Sequence, residues 1–184
     1  MTLFTSARER QLWFWVIAMM VTIYATLDLA QTLAGVLHER ELLDAAFVLG
    51  MLLVGATIAT QALKTRLGGV EIAIGLGIAT LYGMIFLRMA IPEERTHLIE
   101  YGIVSVFIYE ALRERVSNGR RVPTPAALAV GLTALLGWID EGIQWLLPNR
   151  VYDVEDVVFN LLAGVIAVTT SVILTQVRHR LQSK

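Results

Sequence analysis

Apolar residues run along this chain in blocks of roughly twenty, the length an α-helix needs to cross about 30 Å of hydrocarbon. Leu12 to Leu37, Leu42 to Leu63, Val70 to Ile91, His97 to Leu112, Ala126 to Leu147 and Asp156 to Val177 read as six membrane-spanning helices. The fourth block is the shortest and most polar. Lipid offers backbone amides no water, and each helix satisfies its own hydrogen bonds, so the pattern predicts an all-α, polytopic helical bundle. Stop and start signals fill the breaks: Lys64-Thr65-Arg66 with Gly68-Gly69, Pro92, Asn118-Gly119 with Pro123 and Pro125, and Pro148-Asn149. No repeat of fixed period and no low-complexity tail interrupts residues 1–184, which read as a single membrane domain.

Composition narrows the chemistry. Of 184 residues 56% are hydrophobic, more than a soluble domain of this length needs. The absence of cysteine excludes disulfides, thiolate metal sites and cysteine nucleophiles. A net charge of -1 supplies no global basic field, which argues against a nucleic-acid partner. Arg8 and Arg10 precede an apolar run far longer than a signal peptide's, with no small-residue cleavage site after it, so the first span is expected to stay as an anchor.

Charge then orients the bundle. If the spans alternate, Arg8, Arg10, Lys64, Arg66, Arg113, Arg115, Arg120, Arg121, Arg178, Arg180 and Lys184 share one side, and only Arg40, Arg88, Arg95 and Arg150 lie on the other. The positive-inside rule places both termini in the cytoplasm. Acids are skewed the opposite way, with only Glu9, Glu71, Glu110 and Glu114 near the inner face. The second, fourth and sixth spans begin on the outer side, where their free amides and positive dipole ends suit an anion such as phosphate.

Candidate chemistry collects at that outer end. In the fourth span His97, Glu100 and Tyr101 share one helix face, with Glu93 and Glu94 one turn earlier. In the fifth, Asp140, Glu141 and Gln144 fall within about 100° of arc. In the sixth, Asp156, Asn160 and Gly164 follow the four-residue step, with Asp153 just upstream and Gly164 leaving room for a close neighbour. Glu93, Glu94 and Asp153 are explained by helix capping and dipole complementation. Asn160 and Gln144 read equally well as interhelical hydrogen-bond glue or as ligand contacts. Asp140 and Glu141 are different, because an acid inside a span costs about 2.5 kcal/mol or more unless it faces a partner or a wet cavity.

Other polar residues have plainer readings. Asp28 and Gln31, Asp44 and Arg88 lie toward the outside, and an Arg88 to Asp28 pair would account for two of them. The Gly75-x-Gly77 sequence sits in an apolar run with no preceding strand and is no nucleotide loop. Trp13, Trp15, Trp138 and Trp145 fit interface anchoring and packing.

The run "EERTHLIEYGI" at 93–103, with "DEGIQWLLPNRVYDVEDVVFNLLAG" at 140–164, resembles the VanZ-like family of small membrane proteins. The matching positions are His97, Glu100, Tyr101, Glu141, Gln144, Arg150, Asp153, Asp156, Asn160 and Gly164, over a core of roughly residues 92–165. Many members carry lysine three residues before the histidine, where this chain has Glu94 followed by Arg95. The family takes its name from resistance to the glycopeptide teicoplanin, and its likeness to phosphatidylserine-synthase-like enzymes implies action on lipid head groups or lipid-linked cell-wall precursors.

The expected function is therefore a membrane-embedded hydrolase or transferase for phosphoester-linked head groups at the outer leaflet of the cell membrane. His97 would be general base or nucleophile, oriented by Glu100. Asp140 and Glu141 would be acid or base, Arg150 would hold phosphate oxygens, and Tyr101, Gln144 and Asn160 would bind substrate. Five acids around one arginine repel a bare phosphate. Mg²⁺ or Ca²⁺ on Asp140, Glu141, Asp153 or Asp156 would reverse the sign, and a cationic head group or protonated acids would do so too. A non-catalytic protein that binds or shields an outer-leaflet lipid or glycopeptide is the alternative. A small proton-coupled transporter ranks last, because the polar residues gather at one face and not at the midplane.

Overall fold

The structure is a computed structural model that describes residues 3–39, 92–147 and 152–182. Among these residues there are four helices and no strand: α1 (Ala7–Glu39), α2 (Pro92–Ser117), α3 (Pro125–Trp145) and α4 (Val154–Gln182). They correspond to the first, fourth, fifth and sixth predicted spans. The second and third spans, with Asp44, Arg88, Gly75 and Gly77, lie outside the described residues, as do the side chains of Asp28 and Gln31. Residues 1–26 and 93–184 form one compact unit and residues 27–92 a second. The contacts described below for the site lie within the first unit.

Local chemistry sets the helix ends. Ser6 caps α1: its Oγ accepts the Glu9 backbone N–H at 3.0 Å. The Glu9 carboxylate reaches back to Thr5, accepting its N–H and its hydroxyl, each at 2.6 Å. This is the reciprocal logic of a capping box, displaced by one residue. Helix α2 begins at Pro92, earlier than the expected His97, because proline at the first helical position loses no hydrogen bond and Glu93 and Glu94 suit the first turn. Its far end closes in a Schellman motif around Gly119 (φ 81), with Gly119 N–H donating to Val116 O at 3.0 Å and Arg120 N–H to Arg115 O at 3.2 Å. Helix α3 starts on Pro125 after Thr124, whose φ of 40 is unusual for a β-branched residue. Asp153 caps α4, its Oδ1 accepting the Glu155 N–H at 2.7 Å.

Polar contacts clamp the start of α1 to the end of α2. Arg115 Nε donates to buried Glu9 at 2.7 Å, and Arg115 Nη2 to Leu3 O at 2.6 Å. Ser6 Oγ donates to Glu114 at 2.8 Å, and Arg8 reaches both Glu110 and Glu114 at 3.2 Å. Arg113 joins Glu110 to Thr175 of α4. Arg8 is 63% exposed, so its pairs contribute little. Burial pushes the Glu9 carboxyl up, but the Thr5 hydrogen bonds and Arg115 more than offset this and hold it below the ordinary 4.5. A carboxyl lowered on folding stabilises the fold above its unfolded value, and that contribution is lost as pH falls through the folded one. Thermal melts in detergent should therefore show wild-type protein losing stability below about pH 4.5 more steeply than Glu9→Gln. Parallel curves would contradict this.

The link between α3 and α4 is short, which makes them antiparallel neighbours. Their seam has a four-residue repeat. Thr133 faces Gly164 and Gly137 faces Asn160, so a step of four along α3 is answered by a step of four back along α4, and one turn further Glu141 reaches the cap of α4 at Asp153. Glycine permits the close approach: a Cβ on Gly137 would stand 2.6 Å from Asn160 Cβ, and one on Gly164 would stand 3.2 Å from Thr133 Cγ2. Ser105 of α2 seals the same place by donating to Gly164 O at 3.3 Å.

The polarity of α3 is inverted relative to a soluble helix. Its buried stripe is Ala129, Thr133, Gly137, Asp140, Glu141 and Gln144, while Leu128, Leu135, Trp138, Ile139, Trp145 and Leu146 are exposed. Water would drive the opposite arrangement, whereas lipid accepts an apolar exterior over small and polar helix contacts. Among the described residues, α3 and residues Val154–Val177 of α4 are long and apolar enough to cross a membrane.

Candidate polar site at one end of the bundle

The site forms where α2 and α4 begin and α3 ends. Adjacent helix residues project about 100° apart, so Asp140 and Glu141 turn toward different neighbours. Asp140 faces α2: the hydroxyl of Tyr101 donates to its Oδ2 at 2.9 Å. Glu141 faces α4: its Oε2 accepts the Asp153 N–H at 3.2 Å, and its Oε1 accepts Gln144 Nε2 at 3.2 Å. The second acid thus ties the last turn of α3 to the cap of α4.

Tyr101, Asp140, Glu141 and Asn160 are completely buried, and Gln144 is almost so. Glu100 and Asp156 are half-buried. Glu100 and Tyr24 lie within electrostatic reach of Asp140, as do Asp153 and Asp156 of Glu141. Tyr24, from α1, directs its hydroxyl to Leu136 O at 3.4 Å, and the Tyr101 hydroxyl lies 3.5 Å from the same carbonyl. One turn below Glu141, both polar atoms of the Asn160 amide are buried without a hydrogen-bond partner. An amide so placed leaves unmet hydrogen-bonding capacity that costs about 1–3 kcal/mol.

Of the expected site residues, the structure brings together Glu100, Tyr101, Asp140, Glu141, Gln144, Asp153, Asp156 and Asn160. His97 lies on α2 one turn before Tyr101, with its side chain outside the described residues, and Arg150 is outside them altogether. Among the described residues, Gln144 bonds to Glu141 within its own helix and the Asn160 amide has no hydrogen-bond partner. Asp153 commits one oxygen to its cap, and no three His, Cys, Asp or Glu among the described residues are grouped as a metal site requires. Tyr24, Ser105, Thr133 and Gly137 join the cluster without a signature of their own in the sequence. A lone tyrosine or a small residue in an apolar run carries no motif, and only the four-step spacing of Thr133, Gly137 and Glu141 would have signalled the seam.

Among the described residues of 93–103 and 140–164, Tyr101, Asp140, Glu141, Gln144 and Asn160 thus meet in one buried cluster. A family model described as VanZ/LLP1 matches residues 2–175. The chain belongs to the VanZ/LLP1 family. The match runs well beyond the expected core at 92–165 and includes the residues of the first three expected spans. Together with the apolar exterior of α3 and the two candidate spans, VanZ/LLP1 membership makes this a membrane protein. No curated protein and no solved structure matches the chain.

Proposed function

We propose that this VanZ/LLP1 protein acts at the outer leaflet of the cell membrane on phosphoester-linked head groups of lipids or of lipid-linked cell-wall precursors. The supporting observation is the convergence of Tyr101, Asp140, Glu141, Gln144 and Asn160 from three helices into one buried cluster. Buried acids in an apolar bundle are costly, and such positions are characteristically functional. The reading takes the chain as six spans with both termini cytoplasmic. A part in glycopeptide resistance belongs to the same reading, through the family's name.

Roles follow from residue chemistry for His97 and Arg150 and from their contacts for Asp140 and Glu141. His97, one turn from Tyr101, activates water or attacks phosphorus itself, and Arg150 neutralises phosphate oxygens. Asp140, which receives a hydrogen bond from Tyr101, exchanges the proton that leaves the nucleophile or joins the departing alcohol. Glu141 holds the mouth of the site together through Asp153 and Gln144. Substituting Gln at 141 is structurally mild, because Gln144 can turn its amide and accept where it formerly donated.

Purified protein in nanodiscs, supplied with head-group-labelled lipid, provides the test. Wild-type protein should release labelled head group, and His97→Ala should lower that rate at least about 10²-fold. Full activity in both His97→Ala and Glu141→Ala would remove the catalytic reading. Lipid recovered bound and unchanged, by mass spectrometry, would make this a binding protein instead.

A further inference from the structure

We infer that the end of the bundle opposite the buried acids binds anionic phospholipid head groups through Arg10, Arg120 and Arg121. Two observations carry this, and neither depends on the proposed activity.

The first is a set of arginines with no counter-ion. The contacts of Arg115 with Glu9 and of Ser6 with Glu114 hold the start of α1 against the end of α2. Among the described residues, three carboxylates lie there and each is already ion-paired: Glu9 with Arg115, Glu110 with Arg8 and Arg113, and Glu114 with Arg8. Arg10, Arg120 and Arg121 are exposed and make no ion pair with any of them. The link at residues 118–124 contains no acid, and the first turn of α3 adds none. A patch of this kind draws its neutralising charge from its surroundings.

The second is what surrounds it. Arg10, Phe14, Ile17 and Val21 follow steps of four, three and four along α1, which places them on one stripe of the helix, and all four are exposed. The buried residues of this stretch, Val16, Met20 and Ile23, lie on a different face. In a membrane protein an exposed apolar stripe faces acyl chains, so Arg10, one turn beyond its first aromatic, stands at head-group depth. Arg120 and Arg121 follow the last turn of α2 at the same end. The planar fork of a guanidinium holds two phosphate oxygens at once. A zwitterionic head group brings an ammonium that the three guanidiniums repel, whereas a head group of net negative charge brings none. A soluble anion has no acyl chains to lie along Phe14, Ile17 and Val21. The fitting partner is therefore a lipid with a net negative phosphodiester.

The full chain in detergent, given equal amounts of phospholipids with matched acyl chains and glycerol or choline head groups, tests this by native mass spectrometry. Glycerol lipid, which is net negative, should be retained at least about tenfold over choline lipid, and less so as salt rises. Arg10→Gln, Arg120→Gln and Arg121→Gln should each lower that ratio about fivefold, the worth of one basic residue at an anionic surface. The triple Gln variant should retain the two lipids equally and melt with the wild-type protein, because no ion pair of the fold is lost. Lysine at all three positions should keep most of the preference. Equal retention of the two lipids by the wild-type protein overturns the inference, and so does an unchanged preference in the triple Gln variant. Displacement of the lipid by inorganic phosphate at constant ionic strength overturns it as well, since the site would then take a soluble anion.

Discussion

Replacing Gly137 by alanine is expected to lower the thermal stability of the detergent-solubilised protein more than alanine at any other described glycine of α3 or α4. In an open helix the change would gain about 1 kcal/mol from propensity alone. Here the new Cβ would meet Asn160 Cβ at 2.6 Å, Nδ2 at 2.8 Å and Cγ at 3.0 Å. The nearest of these atoms is fixed to the backbone of α4, so no rotamer change removes the clash and the helices must separate. Overpacking of this kind costs about 1–3 kcal/mol, which outweighs the propensity gain.

The ranking is specific. Gly164→Ala meets Thr133 at 3.2 and 3.3 Å and Ser105 at 3.4 Å, a tight contact that small shifts relieve, so its effect should be smaller. Gly131→Ala and Gly142→Ala meet nothing within 4 Å and should be neutral or mildly stabilising. Asn160→Ala should rescue Gly137→Ala only in part, because it removes Cγ and Nδ2 and leaves the Cβ in place. Equal melting temperatures across the four alanine variants would refute the close seam between α3 and α4.

Helical periodicity and the cost of buried charge make part of this site legible in the sequence, and helix rotation hides the rest. Asp140 and Glu141 stand out because a carboxylate inside an apolar run has few reasons to be there. The Asp156, Asn160, Gly164 step is visible because each pair lies four residues apart, and the space left by Gly164 is indeed filled by Thr133 and Ser105. Sequence spacing also places Tyr101 beside the acids, though not which acid it bonds. The partition of Asp140 to α2 and Glu141 to α4 depends on how α3 is rotated, which a one-dimensional pattern leaves open. The clamp at the other end illustrates the same limit. Ser6-x-x-Glu9 is a readable capping signal, but the approach of Arg115 from more than a hundred residues away is not. Hydropathy also shortens α2 at both ends, since its terminal turns are polar: Pro92 to Thr96 start it well, and Arg113 to Ser117 continue it through contacts with α1 and α4.

On the proposed head-group reading, Asp140→Asn is expected to lower head-group release about 10²–10⁴-fold, the usual worth of a positioned proton-transfer group. Asparagine keeps the shape and still accepts the Tyr101 hydroxyl, so the melting temperature should change far less than the rate. Tyr101→Phe removes the donor at 2.9 Å from Asp140 Oδ2. A hydrogen bond to a charged group is worth about 1.5–3 kcal/mol, so if that bond orients the carboxylate the rate should fall about 10- to 100-fold. The decisive measurement is the double variant. If Tyr101 acts only by positioning Asp140, then Tyr101→Phe should cost nothing further once Asp140 is asparagine, and the double variant should match Asp140→Asn alone. Additive losses would mean that the tyrosine serves the reaction by a route of its own. If Asp140→Asn melts earlier yet turns over lipid at the wild-type rate, the carboxylate is a packing element and the proton must move through Glu100 or His97.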